Sequence, residues 1–147
     1  MCGTARGSIQ VSTGKQHANP ERCTSVPAMG YTLVNHNDPS VETFRDVFYK
    51  MRRSLGTTAF GINEVRLPAD LEGIEHDERE TGHEEVYIVL EGSGTMTVDG
   101  EAVSLGSGDY LRVDAESTRL VAAGPDGLTY VVVAGKPLPE YDGRSSL

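Results

Sequence analysis

Short runs of β-branched and aromatic residues, separated by glycine-containing turns, fill the sequence between residues 58 and 134. Asp99-Gly100 marks the clearest turn, because Asp-Gly is a favoured dipeptide of two-residue β-hairpin turns. The predicted strands are 58–67, 86–90, 95–98, 101–105, 110–113, 118–122 and 128–134. The turns predicted between them include Gly92-Ser93-Gly94 and the segment 124–127. Short strands at this spacing predict an all-β fold, an antiparallel sandwich or barrel.

One helix is predicted before the strands. Asp38-Pro39 supplies a capping side chain followed by the residue best suited to the first helical position. Apolar residues then recur at helical spacing, namely Val41, Phe44, Val47, Phe48, Met51 and Leu55. Gly56 follows as a stop signal. We therefore expect a helix from about residue 38 to residue 55, packed on the outside of the barrel.

Length and charge restrict the possible functions. The 147 residues, with a mass of 15.8 kDa, suffice for one domain. The formal net charge of -9 disfavours nucleic-acid binding, because phosphate backbones repel an acidic surface. No stretch approaches the ~18 to 20 uninterrupted apolar residues of a membrane-spanning helix. The sequence thus predicts a protein that binds neither nucleic acid nor membrane.

The first 28 residues differ from the rest. They carry a net charge of +2 and show neither strand nor helix periodicity, so we predict a disordered tail followed by a single domain at 29–147. Cys2 and Cys23 both lie in this tail, and we interpret them as free thiols, with a disulfide between them as the alternative. The tail lacks the apolar run of a secretory signal, which predicts a cytoplasmic protein.

Residues 70–85 combine two of the four histidines, His76 and His83, with a high density of carboxylates. Histidine and carboxylate side chains together are typical ligands of divalent transition metals. In an extended chain, His76, Glu78 and Glu80 share one face, and His83 and Glu85 share a face of the following strand. A solvated acidic loop that leads into a strand is the alternative interpretation.

The segment 85–94, Glu-Val-Tyr-Ile-Val-Leu-Glu-Gly-Ser-Gly, with Met-Thr-Val-Asp-Gly-Glu at 96–101, resembles the first half of a cupin barrel. The Gly-Ser-Gly-Asp turn at 106–109 resembles the opening of the second half. The resemblance covers roughly residues 58–134 and is to small single-domain bacterial cupins. It implies a double-stranded β-helix (jelly-roll) barrel, frequently dimeric, whose two motifs supply three histidines and one glutamate to a metal.

The cupin motif maps only partly onto these residues. Glu85 takes the position of the metal-binding glutamate, seven residues before Gly92. The two histidine positions of the first motif fall on Arg79 and Thr81, or on Glu78 and Glu80 in the longer variant of the motif. The third histidine position falls on Arg119, whose guanidinium has no lone pair for a metal. The resemblance therefore implies a degenerate site without the usual ligand set.

Two functions follow. In the first, Arg119, Glu85 and Tyr87 belong to a metal-free pocket in which Arg119 pairs with Glu85 and binds a small anionic molecule. In the second, His76, Glu80 and Glu85, with Glu78 or His83 as substitutes, hold a divalent metal of an oxygenase-like or isomerase-like enzyme. Whether the protein is an enzyme is left open. A filled barrel that serves only in assembly is a third possibility.

A homodimer is also expected. Val86, Ile88 and Leu90 alternate with the residues assigned to the interior, so their side chains point outward. A partner chain or the predicted helix is needed to bury them. Twofold-symmetric dimers are the commonest oligomers, and the cupin resemblance implies the same assembly.

Overall fold

The β-branched runs form seven strands and one short helix in the structure, a computed structural model that describes residues 30–138. The elements are β1 (Thr43–Phe44), β2 (Phe48–Tyr49), α1 (Met51–Leu55), β3 (Gly61–Leu67), β4 (Glu84–Val98), β5 (Glu101–Gly106), β6 (Tyr110–Val113) and β7 (Arg119–Gly135). The sheet order is β1-β2-β3-β7-β4-β5, and β6 pairs with β4. All these pairings are antiparallel, which confirms the predicted all-β class.

The two long strands β4 and β7 each run through both halves of the barrel. In one half, the first part of β4 lies between β6 and the second part of β7, and β3 borders β7. In the other half, the second part of β4 lies between β5 and the first part of β7. The connection between β3 and β4 pairs with β7 there, through the bridges Glu72–Ala122 and His76–Arg119. Side chains from both halves therefore meet in one interior.

An apolar core fills much of the barrel interior. Its members come from β3 to β7 and alternate with residues that face outward; they are Val65, Leu67, Tyr87, Val89, Met96, Leu105, Val113, Val121, Ala123, Leu128, Tyr130 and Val132. The hairpin prediction at Asp99-Gly100 is confirmed: both residues have positive φ, 49° and 86°, between β4 and β5.

The predicted turns at 92–94 and 124–127 are instead irregularities inside β4 and β7. Gly92 pairs with Leu128 and Gly94 pairs with Ala123, so four residues of β7 bulge opposite the single Ser93. β4 and β7 continue to pair beyond the bulge. The glycines and Pro125 therefore bend the two strands without ending them.

The predicted helix is wrong over most of its length. The structure contains only α1, the last turn of the expected helix, ended by Gly56 in the left-handed conformation. Asp38 accepts a hydrogen bond from the Ser40 amide (2.8 Å) and thus caps an isolated turn. β1 and β2 then form a hairpin whose loop residues Arg45 and Asp46 have φ of 52° and 55°. The apolar residues here are mostly β-branched or aromatic, so pairing with β3 outweighs their weak helix propensity.

Two sequence predictions fall outside these elements. The proposed tail at residues 1–28, with Cys2 and Cys23, lies outside the described residues, and its boundary stays a prediction. Within residues 30–138 no helix is long and apolar enough to span a membrane.

Candidate functional site

The site is built on the inner face of β3, β7 and β4, where the strand register places residues in rows. Glu85 of β4 lies beside Ala134 of β7, which lies beside Gly61 of β3. Because Ala134 and Gly61 have almost no side chain, this row leaves open space next to the Glu85 carboxylate. The next row contains Tyr87, Val132 and Asn63, which are larger and lie deeper in the barrel.

Glu85 and Arg119 form an ion pair across the interior, from the first part of β4 and the first residue of β7. The Arg119 Nη2 and Nε atoms lie 2.8 Å and 3.1 Å from the same oxygen, Glu85 Oε2. Arg119 is 0% exposed and Glu85 is 8% exposed. The third nitrogen, Nη1, donates a hydrogen bond to the Ser117 carbonyl oxygen at 2.8 Å. All three guanidinium nitrogens are therefore engaged within the protein.

Tyr87 completes this buried group. Its hydroxyl donates a 2.6 Å hydrogen bond to Glu85 Oε2, so that one oxygen accepts from three donors. Burial by itself would raise the pKa of Glu85, but His76, Tyr87 and Arg119 around it hold the pKa at about 2. Burial, with the neighbouring Glu85 charge, raises the pKa of Tyr87 above its usual range. At neutral pH the group therefore contains an ionised carboxylate and a neutral phenol.

His76 lies on the other side of Glu85, on the segment that pairs with β7. Its backbone exchanges two hydrogen bonds with Arg119, at 2.9 Å and 3.1 Å, and this fixes its position. The ring atom Nδ1 lies 2.9 Å from the Ile74 carbonyl oxygen, which can only accept, so Nδ1 carries the proton. Nε2 then points toward Glu85 Oε2 at 3.8 Å. The Glu85 carboxylate raises the pKa of His76, although partial burial opposes this.

Among residues 30–138, His76, Glu78 and Glu85 form a group that could hold a metal ion. Each offers one ligand atom, and the three atoms lie within 4.8 Å of one another. One imidazole and two carboxylates suit zinc, iron or manganese. However, Glu85 Oε2 already accepts hydrogen bonds from Tyr87 and from the permanent cation of Arg119. A metal here would have to use the other carboxylate oxygen and share Glu85 with that cation.

A cavity of about 600 Å³ opens onto these side chains. Acidic and imidazole side chains line part of the cavity, namely His76, Glu78, His83 and Glu85. Aromatic and aliphatic side chains line the rest, among them Phe48, Phe60, Val65, Tyr87, Tyr130 and Val132. Arg52 and Lys136 add two cations to the lining. Its size lies within the range of small-molecule sites.

The sequence candidates are distributed unevenly around this cavity. Glu85, Tyr87, His76, Glu78 and His83 line it, whereas Arg119 does not, because it lies behind Glu85. The expectation that Arg119 binds an anion is therefore corrected: its guanidinium is fully buried, away from the cavity, and its three nitrogens donate to Glu85 and Ser117.

Glu80 is also corrected as a candidate ligand. The Gly82 amide donates a 2.7 Å hydrogen bond to the Glu78 carbonyl oxygen and closes a turn over residues 78–82. This turn leaves Glu80 exposed and outside the cavity lining, while Glu78 stays on the wall and takes its place in the cluster.

Sequence reasoning missed Arg52, Lys136, Phe48 and Asn63 as lining residues. Arg52 lies in α1, and Lys136 directly follows β7. No local pattern marks either, because only the pairing of β3 with β7 brings their elements to one end of the barrel. Asn63 did carry a local signal, since at two-residue spacing it shares the inner face of β3 with the buried Val65 and Leu67.

Comparison with known proteins identifies the same fold. Residues 65–135 match the family described as Cupin domain (Cupin_2). The chain is similar to a cupin protein from Bacteroides fragilis, with 26% identity, a TM-score of 0.63 and coverage of 81% of this chain and 99% of that one. No curated protein matches the sequence.

Two further solved structures share the fold at lower identity. One is a protein from Photorhabdus luminescens, with 14% identity, a TM-score of 0.60 and coverage of 71% of this chain and 87% of that one. The other is described as a predicted oxalate decarboxylase from Thermotoga maritima, with 16% identity, a TM-score of 0.59 and coverage of 72% and 100%. These likenesses confirm the expected jelly-roll barrel.

Proposed function

Because this chain is a cupin-superfamily protein, we propose that it binds a small organic molecule in its barrel cavity, without a metal ion. The main support for this proposal is the fully buried Arg119, which places a permanent positive charge 2.8 Å from Glu85 Oε2. A guanidinium in this position neutralises the carboxylate that would otherwise attract a metal cation. The cavity beside the pair remains open, so the interior is not filled as an assembly module would require.

The residues around the cavity have separate roles in this proposal. Glu85, held by Arg119 and Tyr87, presents a fixed negative charge and accepts hydrogen bonds from a ligand. Tyr87 and Tyr130, whose ring centroids lie 5.6 Å apart, form a rigid apolar floor. Gly61 and Ala134 keep the space beside Glu85 clear.

Elemental analysis tests the absence of a metal. The protein is purified without chelator and without a metal-affinity step, and transition metals are measured against protein concentration. We expect far less than one ion per chain. A stoichiometric transition metal that is lost in His76→Ala would instead establish the metal centre described next.

The second candidate function is a divalent-metal-dependent enzyme, favoured by the 4.8 Å grouping of His76, Glu78 and Glu85. A metal bound there would supply a Lewis acid that polarises a substrate carbonyl or activates oxygen. His83, whose Nδ1 lies 3.9 Å from Glu78 Oε2, would orient the Glu78 carboxylate.

Binding of an organic molecule is tested with naphthalene derivatives, which match the aromatic wall. Addition of 2-naphthamide is expected to shift the methyl resonances of Val65 and Val132 in a carbon-proton correlation spectrum. Ala134→Leu fills the space beside Glu85 and is expected to abolish these shifts. Shifts that persist in Ala134→Leu would place the binding elsewhere and contradict the proposal.

A further inference from the structure

Most Lys and Arg side chains in the described part of this acidic protein pair with carboxylates. Between residues 30 and 138, every Lys and Arg side chain pairs with a carboxylate except Arg45, Arg52 and Lys136. Two of these three, Arg52 and Lys136, line the same cavity. In a chain of net charge -9, carboxylates to pair with them are plentiful. Cations at a cavity that have no carboxylate partner within the described residues are available to an anion from outside.

The fold brings these two cations to one end of the barrel. Lys136 directly follows β7, whose last residue, Gly135, pairs with Glu84. β3 begins at Gly61, which pairs with Ala134, so the start of β3 and the end of β7 lie at the same edge. Arg52 belongs to α1, which packs against β3. Its Nε lies 3.4 Å from the Thr57 carbonyl oxygen, a weak contact that leaves the rest of the guanidinium available.

Carboxylates also line the cavity. The Glu85 carboxylate is ionised, because Arg119 and Tyr87 donate to it, and Glu78 lines the same cavity. These carboxylates repel an anionic group, whereas Arg52 and Lys136 attract it. Aromatic side chains, among them Phe48, Phe60 and Tyr130, complete the lining. The lining therefore favours a molecule that places its anionic group at the two cations and its apolar part against the aromatic side chains.

We infer that the cavity selects an organic acid with an aromatic or similarly flat apolar body, whose carboxylate lies at Arg52 and Lys136 and whose body lies against the aromatic side chains. This rests on the proposed function that the cavity binds a small molecule. Carboxylates suit these two residues, since guanidinium and ammonium groups form charge-assisted hydrogen bonds with them. The aromatic walls favour a flat body through offset or edge-to-face ring contacts.

The test compares three probes of one shape: 2-naphthoate, 2-naphthamide and 2-(aminomethyl)naphthalene. Each is titrated, at constant ionic strength, into the full-length protein and into Arg52→Gln, Lys136→Gln and the double variant. Arg45→Gln is the matched control, because it removes a cation that also has no carboxylate partner between residues 30 and 138 but does not line this cavity. Circular dichroism and thermal melting verify that each variant is folded.

We expect 2-naphthoate to bind about tenfold more tightly than 2-naphthamide, a difference typical of one or two charge-assisted hydrogen bonds. The double variant should reduce the affinity for 2-naphthoate to that for 2-naphthamide, whose own affinity stays unchanged. Arg45→Gln should leave all three affinities as they are. Equal binding of the acid and the amide, or an acid preference that survives in the double variant, would overturn the organic-acid inference and leave the cavity's ligand-binding role intact. If no probe binds, or if binding persists in Ala134→Leu, the inference and the proposed function are both overturned.

Discussion

Glu85 and Arg119 depend on each other, because each is a charged group placed in the barrel interior. Arg119→Met leaves an ionised carboxylate without its cation, and Glu85→Gln leaves a buried guanidinium without its anion. Removal of one partner from a buried pair typically costs about 3 to 5 kcal/mol of unfolding free energy. We expect either single variant to lose this much and the double variant to regain part of it, measured by urea unfolding.

Arg112→Met is the control for this cycle. Arg112 pairs with Glu84 and Asp114 on the exposed surface, where an ion pair contributes about 1 kcal/mol or less. An Arg119→Met variant as stable as Arg112→Met would contradict a structural role for the buried pair.

The low pKa of Glu85 makes stability depend on acidity. A carboxylate whose pKa falls from 4.5 to about 2 on folding stabilises the protein above pH 4.5, and this contribution is lost as the pH drops toward 2. Between pH 6 and pH 3 we expect the wild-type protein to lose about 2 kcal/mol more than the double variant Glu85→Gln/Arg119→Met, which lacks this group. Unfolding curves that decline in parallel for the two proteins would refute the coupling.

At the scale of residues, the sequence predicted the buried pair of Glu85 and Arg119 but not the cavity-lining cations Arg52 and Lys136. Glu85 and Arg119 were assigned to facing inner positions from motif spacing, and the structure confirms that they meet. In this pair the Arg119 Nε and Nη2 atoms converge on one oxygen, Glu85 Oε2. Arg52 and Lys136 could not be found in this way, because they are far apart in the chain and meet only through the order of the strands.

At the scale of elements, Gly92 limits how β4 and β7 can pair. Its φ is 79°, and a Cβ atom added to it would lie 2.1 Å from the Gly127 carbonyl oxygen. Gly92→Ala therefore combines an unfavourable backbone conformation with a steric clash against the backbone of β7. We expect a loss of more than about 1 kcal/mol of unfolding free energy, measured by urea unfolding.

Gly106→Ala is the matched control for Gly92→Ala. A Cβ atom at Gly106 meets only the Asp109 Oδ2 atom, at 3.8 Å, and the backbone there needs no positive φ. We expect a change of less than about 1 kcal/mol. If the two variants were equally stable, the bulge opposite Ser93 would not depend on glycine.

The contrast between α1 and the strands explains which elements could be predicted. Residues 110–113 and the Asp99-Gly100 hairpin were predicted correctly, because alternation and turn chemistry are local signals. The helix prediction was wrong because the spacing of Phe44, Val47 and Phe48 fits a helix and also fits a β-hairpin that packs on the barrel. Contacts with β3, distant in sequence, decide between the two. Because such distant contacts are not visible in the sequence, it also did not show that β4 and β7 continue through their glycine-rich segments.

At the scale of the whole molecule, one outer face of the barrel carries apolar side chains. Val86 and Ile88 of β4 lie beside Val133 and Val131 of β7 in the strand register. The neighbouring Leu90 and Tyr110 are 46% and 73% exposed. A face of this kind is typical of a surface that another protein chain covers.

We expect this face to form the interface of a homodimer. Light scattering at micromolar concentration should give twice the 15.8 kDa of one chain. Ile88→Lys should produce monomers, and Ala102→Lys, on the exposed part of β5, should not. The mass of a single chain for the wild-type protein would rule out this dimer.

The pairing of β3 with β7 also has a kinetic consequence. Gly61 pairs with Ala134 and Leu67 with Leu128, so the barrel cannot close until two distant parts of the chain have found each other. The entropy of that search must be overcome before the pairing contributes any stability, and folds with such non-local contacts cross their barrier in milliseconds to seconds. The cavity, whose walls come from both partners, cannot form before this pairing, so no ligand can assist the steps that precede it.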